Sequence, residues 1–134
     1  MKNFMIIIFL FSITATVFSQ SEKKAKKYHV KTVTINETVL DNGNNKELIE
    51  EKAFDEKGKL TEHKEYNDNK IKTWKKYTYT QDGNIESEQT LNAKGVIIKK
   101  IVYKYSNGLK ISKSYYDSKD RLKKQKYYEY NYYE

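Results

Sequence analysis

The chemistry open to this chain is narrow, because the 134 residues contain no cysteine and only two histidines, His29 and His63. The soft-ligand zinc sites built from those side chains are therefore effectively excluded. Counted by strand alternation from Leu60, His63 points to solvent between Glu62 and Lys64, and neither imidazole is expected to act in catalysis or to hold a metal. No nucleophile elbow, His-Glu-x-x-His or phosphate-cradling glycine loop is present. Carboxylates are plentiful, among them Glu50, Glu62, Glu86 and Glu88. A glycosidase would need two of them fixed across a cleft, whereas a lysine-rich sheet uses them as partners for neighbouring lysines. No catalytic residue and no cofactor is expected.

Recognition is what remains. Trp74 is the only tryptophan. By alternation it lies on the face opposite Ile71 and Tyr77, and Lys76, Lys100, Tyr116 and Tyr127 are placed with it. Aromatics among cations suit sugar stacking, anionic glycans or a protein contact. The competing expectation is that Trp74 simply packs on side chains of adjacent strands.

The elements that position these residues are strands. Turn phrases such as Asp82-Gly83 and Asn107-Gly108 recur along the chain, and both residue pairs tolerate the positive φ of tight hairpins. After each turn comes an aliphatic: Leu48, Leu60, Ile71, Ile85, Ile97, Ile111 and Leu122, between 11 and 14 residues apart. The match of Leu48–Phe54 to Leu60–Tyr66 keeps Leu, Glu, Lys and an aromatic in register. Alternation between turns favours strand over helix. It predicts an all-β antiparallel meander of about eight strands, near 28–40, 47–54, 59–66, 70–79, 84–91, 96–105, 109–116 and 121–131, forming an open or curled single-layer sheet. Read by alternation, each strand is apolar at both ends of one face and polar in its middle. The fifth and sixth strands look two-sided, with Val96, Ile98 and Val102 behind Ile97, Ile101 and Tyr103, and are expected to be the best buried.

The N-terminus reads as an export signal: Lys2, an apolar run from Phe4, and small residues toward Val17 and Ser19. The 15 residues Phe4 to Phe18 are short for a spanning helix, which needs about 20. The expected division is a signal peptide at 1–19, a basic flexible linker at 20–27 and a β-repeat domain at 28–134. Export implies a periplasmic or secreted protein, with no stable membrane insertion after cleavage and no nucleic-acid partner. Charge is uneven: residues 20–69 hold 10 lysines against 11 acids, and residues 70–134 hold 15 Lys plus Arg against 7. An anionic partner is therefore steered to the second half. The tail Lys123–Glu134 mixes lysine with tyrosine. It suits a last, edge strand whose lysines oppose edge pairing, or one that accepts a partner strand.

Phe54-Asp55-Glu56-Lys57-Gly58-Lys59-Leu60 and Tyr116-Asp117-Ser118-Lys119-Asp120-Arg121-Leu122 resemble the YD repeat of Rhs-type proteins, with Asp120 in place of the glycine. The likeness runs from Leu40 to the C-terminus. A second similarity is to MORN-variant repeats of antitoxin-like bacterial proteins. The resemblance implies a hairpin repeat and supplies no catalytic residue, and seven units are too few to form the toxin-enclosing shell of large Rhs proteins. The functional expectation is a noncatalytic exported module that binds a protein or anionic glycan of the cell envelope. The alternative is an immunity-like protein that neutralises a toxin partner.

Overall fold

The computed structural model describes residues 13–40 and 45–133. It is all-β apart from one helix: α1 (Ile13–Tyr28) precedes β1 (Thr32–Val39), β2 (Asn45–Phe54), β3 (Leu60–Asn67), β4 (Lys70–Tyr79), β5 (Ile85–Leu91), β6 (Ile97–Ser106), β7 (Leu109–Asp117) and β8 (Leu122–Tyr127). The strands form one antiparallel sheet in sequence order, a meander with β1 and β8 at its edges. Residues 1–12 of the expected leader and 41–44 of the first turn lie outside the described residues. Residues 20–27, anticipated as a flexible linker, belong instead to α1, where Ala25 is buried. Among the described residues no helix is long and apolar enough to cross a membrane.

The turns follow from side-chain chemistry. In Asp55–Lys59, Asn92–Val96 and Asp117–Arg121 the first residue's Oδ1 accepts the amides of the third and fifth residues. The fourth, Gly58, Gly95 or Asp120, adopts positive φ and donates its amide to the first residue's carbonyl. Thr80–Asn84 repeats the backbone pattern with Thr80 Oγ1 as the cap. Asp68-Asn69 and Asn107-Gly108 make the tight two-residue turns, both residues at positive φ.

Every strand pairing contains a register shift, and each time the second strand carries the extra residue: Ile49, Thr61, Lys72, Glu86, Ile98, Ile111 and Lys123. The recurring aliphatic is the residue just before this bulge, except in the sixth hairpin, where Ile111 is itself the extra residue. A bulge reverses the alternation of everything beyond it, so three expectations are corrected. The apolar ends of a strand lie on opposite faces: Leu60 shares a face with Phe54, while Tyr66, at the other end of β3, faces the other way with Ile71. Ile71 lies on the same face as Trp74, because Lys72 is extra. His63 shares the face of Leu60; it is half-buried, with Nε2 2.6 Å from Glu50 Oε1.

The two faces are therefore apolar at opposite ends of the sheet. One, the helix face, carries Phe54, Leu60, Tyr77 and Tyr79 beneath α1. Ala25, Phe54 and Leu60 form its core, with Val30, Val33 and Tyr77 packed against them. Leu60 is fully enclosed, at 0% exposure. Gly58 is required here, since a Cβ would come within 2.6 Å of Lys26 in the helix. Glu22 of α1 accepts the Leu60 amide at 3.2 Å. The expectation that the fifth and sixth strands are best buried is thus corrected. Ile101 and Leu91 are buried, but Val96, Ile97 and Ile98 are exposed, because α1 covers β2–β4 and nothing among the described residues covers the start of β6. The opposite surface is the tryptophan face.

Candidate functional site

On the tryptophan face, register places Glu51, Lys64 and Trp74 in one cross-strand row, continued by Leu91. The indole N–H of Trp74 donates to Glu62 Oε1 at 2.5 Å. Lys64 and Lys76 sit over the ring at 4.6 and 5.5 Å from its centroid, and both lysines approach Glu62 within 4.0 Å. Tyr66 donates its hydroxyl to Glu51 at 2.5 Å; burial first, then the Glu51 charge, pushes that phenol up to about 12. The indole edge also lies over the Gly95 turn. Trp74 is therefore half-buried, with its polar atom satisfied and its ring covered on the sheet by side chains of neighbouring strands.

The next row on this face runs Glu62, Lys76, Gln89, Lys100, Tyr116. All five residues singled out from sequence thus share this face, and four of them fall into two clusters. Trp74 with Lys76 makes one cluster. Lys100 with Tyr116 makes a second, the ammonium 4.9 Å from the ring centroid and 2.5 Å from Asp120. Tyr127 shares the face but stands opposite Ser112, four residues along β7 from Tyr116, and bonds to Gln125. It does not join either cluster.

The helix face divides into a paired half and an unpaired half. On β2–β5, Glu50 takes Lys52 at 2.8 Å as well as His63. Burial works to raise the Glu50 carboxyl, but those two partners hold it below the ordinary glutamate value. Glu88 takes Lys75 at 3.1 Å and the Tyr103 hydroxyl at 3.4 Å. Burial, then the Glu88 charge, raises the Tyr77 and Tyr103 phenols.

Past Tyr103 the strands carry one acid on this face, Asp117 opposite Lys99, and lysines predominate. Lys99, Lys110, Lys113, Lys124 and Lys126 fall on this face by register. Lys110 and Lys113 lie 4.8 and 5.3 Å from the Tyr103 centroid. Tyr115 receives Lys113 at 5.1 Å and both Lys99 and Lys124 at 5.8 Å. Lys110 also reaches the Tyr128 ring, at 5.8 Å. Among the described residues none of these five lysines is within ion-pair distance of a carboxylate. The hydrogen bond from Lys113, with the charges of Lys113, Lys126 and Lys124, draws the Tyr115 phenol below its ordinary value although desolvation opposes the shift.

This lysine–tyrosine strip was not singled out from sequence. Its signal was the basic excess of residues 70–134. The face on which the excess gathers depends on the bulges at Ile98, Ile111 and Lys123, which composition does not reveal. Among the described residues no group of three or more His, Cys, Asp or Glu side chains is arranged to hold a metal ion. Compared with family models, curated proteins and solved structures, the chain matches none of them.

Proposed function

We propose that this chain is a noncatalytic exported β-repeat module that binds an anionic partner of the cell envelope through its exposed sheet surface. One observation carries the reading: the division of charge. In the strands β2–β5 seven lysines are balanced by seven glutamates, and Lys52, Lys64, Lys75 and Lys76 are paired with Glu50, Glu51, Glu62 and Glu88, so that half of the sheet carries no excess charge. In β6–β8 a set of lysines has no such match, and an unneutralised basic surface attracts negative partners. The signal-like N-terminus supports a partner outside the cytoplasm. The YD-like hairpin phrase agrees with a repeat scaffold that presents a surface and encloses no reaction.

The test is fractionation and retention. Protein expressed from the full reading frame is expected to lose its first 19 residues on export and to sediment with the envelope at low salt. It should be released as ionic strength rises. Cytoplasmic residence of the intact chain, or recovery in soluble form with no envelope component, overturns the reading. Stoichiometric capture of a single toxin-like protein replaces it with the immunity role.

A further inference from the structure

Resting on that reading, we infer that the helix-face strip of Lys99, Lys110, Lys113 and Lys124, with Tyr103 and Tyr115, is the binding track, and that its occupant is an extended anionic polysaccharide.

Three features of the strip point to a ligand. The first is that the fold gains little from it. Lys113 and Lys126 are direct cross-strand partners, and like charges opposite one another destabilise a sheet. Like charges also oppose one another at Glu37–Glu47 and Glu50–Glu65; on β7–β8 the opposed charges are both positive. The second is that nearby carboxylates are engaged elsewhere: Glu88 by Lys75 and Tyr103, Asp117 by Arg121 at 2.8 Å and Lys123 at 3.6 Å. The third is order. Four ammoniums are held over the rings of Tyr103, Tyr115 and Tyr128, so little side-chain freedom is left to lose when an anion arrives. The Lys113 hydrogen bond, and after it the charges of Lys113, Lys126 and Lys124, lower the Tyr115 phenol at the centre of the strip.

The chemistry of the strip selects the occupant. Tyrosine rings flanked by ammoniums offer a sugar chain a stacking surface and a positive charge together. Lysine N–H groups and tyrosine hydroxyls supply hydrogen bonds for sugar hydroxyls between the acidic groups. Charge complementarity supplies the attraction, and with it a steep dependence on salt.

The experiment uses protein expressed from the full reading frame, in the N-terminal form the cell leaves. Binding of dextran sulfate, of neutral dextran of equal length and of vesicles containing phosphatidylglycerol is measured at two salt concentrations. Three proteins are compared: the unmodified chain; the strip variant Lys99→Gln/Lys113→Gln/Lys124→Gln; and a control with the same charge change on exposed lysines of β2 and β4, Lys46→Gln/Lys70→Gln/Lys72→Gln. The expected result is binding to dextran sulfate only, weakened about tenfold or more in the strip variant and less than about twofold in the control. Equal weakening in both variants assigns the binding to net charge and overturns the site. Vesicle binding that exceeds dextran sulfate binding overturns the polysaccharide. Envelope retention that persists unchanged in the strip variant overturns the strip while leaving the envelope-binding reading intact. Far-ultraviolet circular dichroism establishes that each variant keeps its strands.

Discussion

The Tyr105 hydroxyl donates to the carbonyl of Ile85 at 2.8 Å, across the open end of the β5–β6 hairpin. Tyr79 does the same to Leu60 and Tyr130 to Lys110, each at 2.7 Å. The accepting residues, at positions 60, 85 and 110, are 25 apart. The structural repeat is therefore a two-strand unit, twice the single-strand period visible in the turns. In each unit a tyrosine closes the open end of the hairpin.

Removing one of these ties by Tyr79→Phe or Tyr105→Phe leaves a carbonyl without its partner while preserving the ring. The expected loss is about 1 kcal/mol for each, and less for Tyr130→Phe, whose side chain is exposed. Urea unfolding checks this: the midpoint should fall for the first two with little change in slope.

Leu60 is the centre of the small core between α1 and the sheet. Leu60→Ala is expected to cost about 2–5 kcal/mol, as deletions in enclosed sites do. Ile98→Ala, on a side chain 47% exposed, should stay within about 0.5 kcal/mol. Comparing the two by thermal melting tests whether the core lies under the helix or in β5–β6.

The β7–β8 turn should respond to acid. Arg121 and the amides of Lys119 and Arg121 hold the Asp117 carboxyl at about 2, below an unfolded value of about 3.9. A depressed carboxylate stabilises the fold above its unfolded pKa, and that contribution is lost as pH falls through the folded one. The turn should therefore be intact at pH 5 and loosen between about pH 4 and 2. Asp117→Asn keeps a capping oxygen, as Asn92 shows in its own turn, and should abolish the pH dependence. Amide chemical shifts of residues 117–121, followed through that window, decide it.

Relief of the Lys113–Lys126 opposition should stabilise the sheet. Lys126→Gln removes one charge of the pair, and the unfolding free energy from urea titration should rise by about 0.2–1 kcal/mol. A clear fall would mean that Lys126 holds the edge strand in place.

Strand positions were legible because turn chemistry is local. Asp55, Asn92 and Asp117 cap their own loops, and the glycines and asparagines at positive φ stand where the chain reverses. Faces were not legible beyond the first bulge. The extra residues Thr61, Lys72, Glu86 and Ile98 share no chemical type; the mark is the aliphatic before each of them, which alternation alone does not read as a bulge. This is why Ile71 was placed away from Trp74, and why His63 was turned to solvent. The packed part of α1 escaped notice for a related reason. Its contact rests on one buried alanine and on Glu22, set among four lysines, and such a segment reads as a linker. The clustering of Trp74 with Lys76 and of Lys100 with Tyr116 survived because the bulges on β4, β6 and β7 fall outside the stretches that join them.

The most direct test of the binding account is chemical-shift mapping of the isotope-labelled chain titrated with an anionic polysaccharide. The account predicts that shifts concentrate in β6–β8, at the tyrosine ring protons of residues 103 and 115 and the amides around Lys99, Lys113 and Lys124, and vanish at high salt. Shifts centred instead on the Trp74 indole N–H and Glu62, or spread evenly over every lysine, would contradict it.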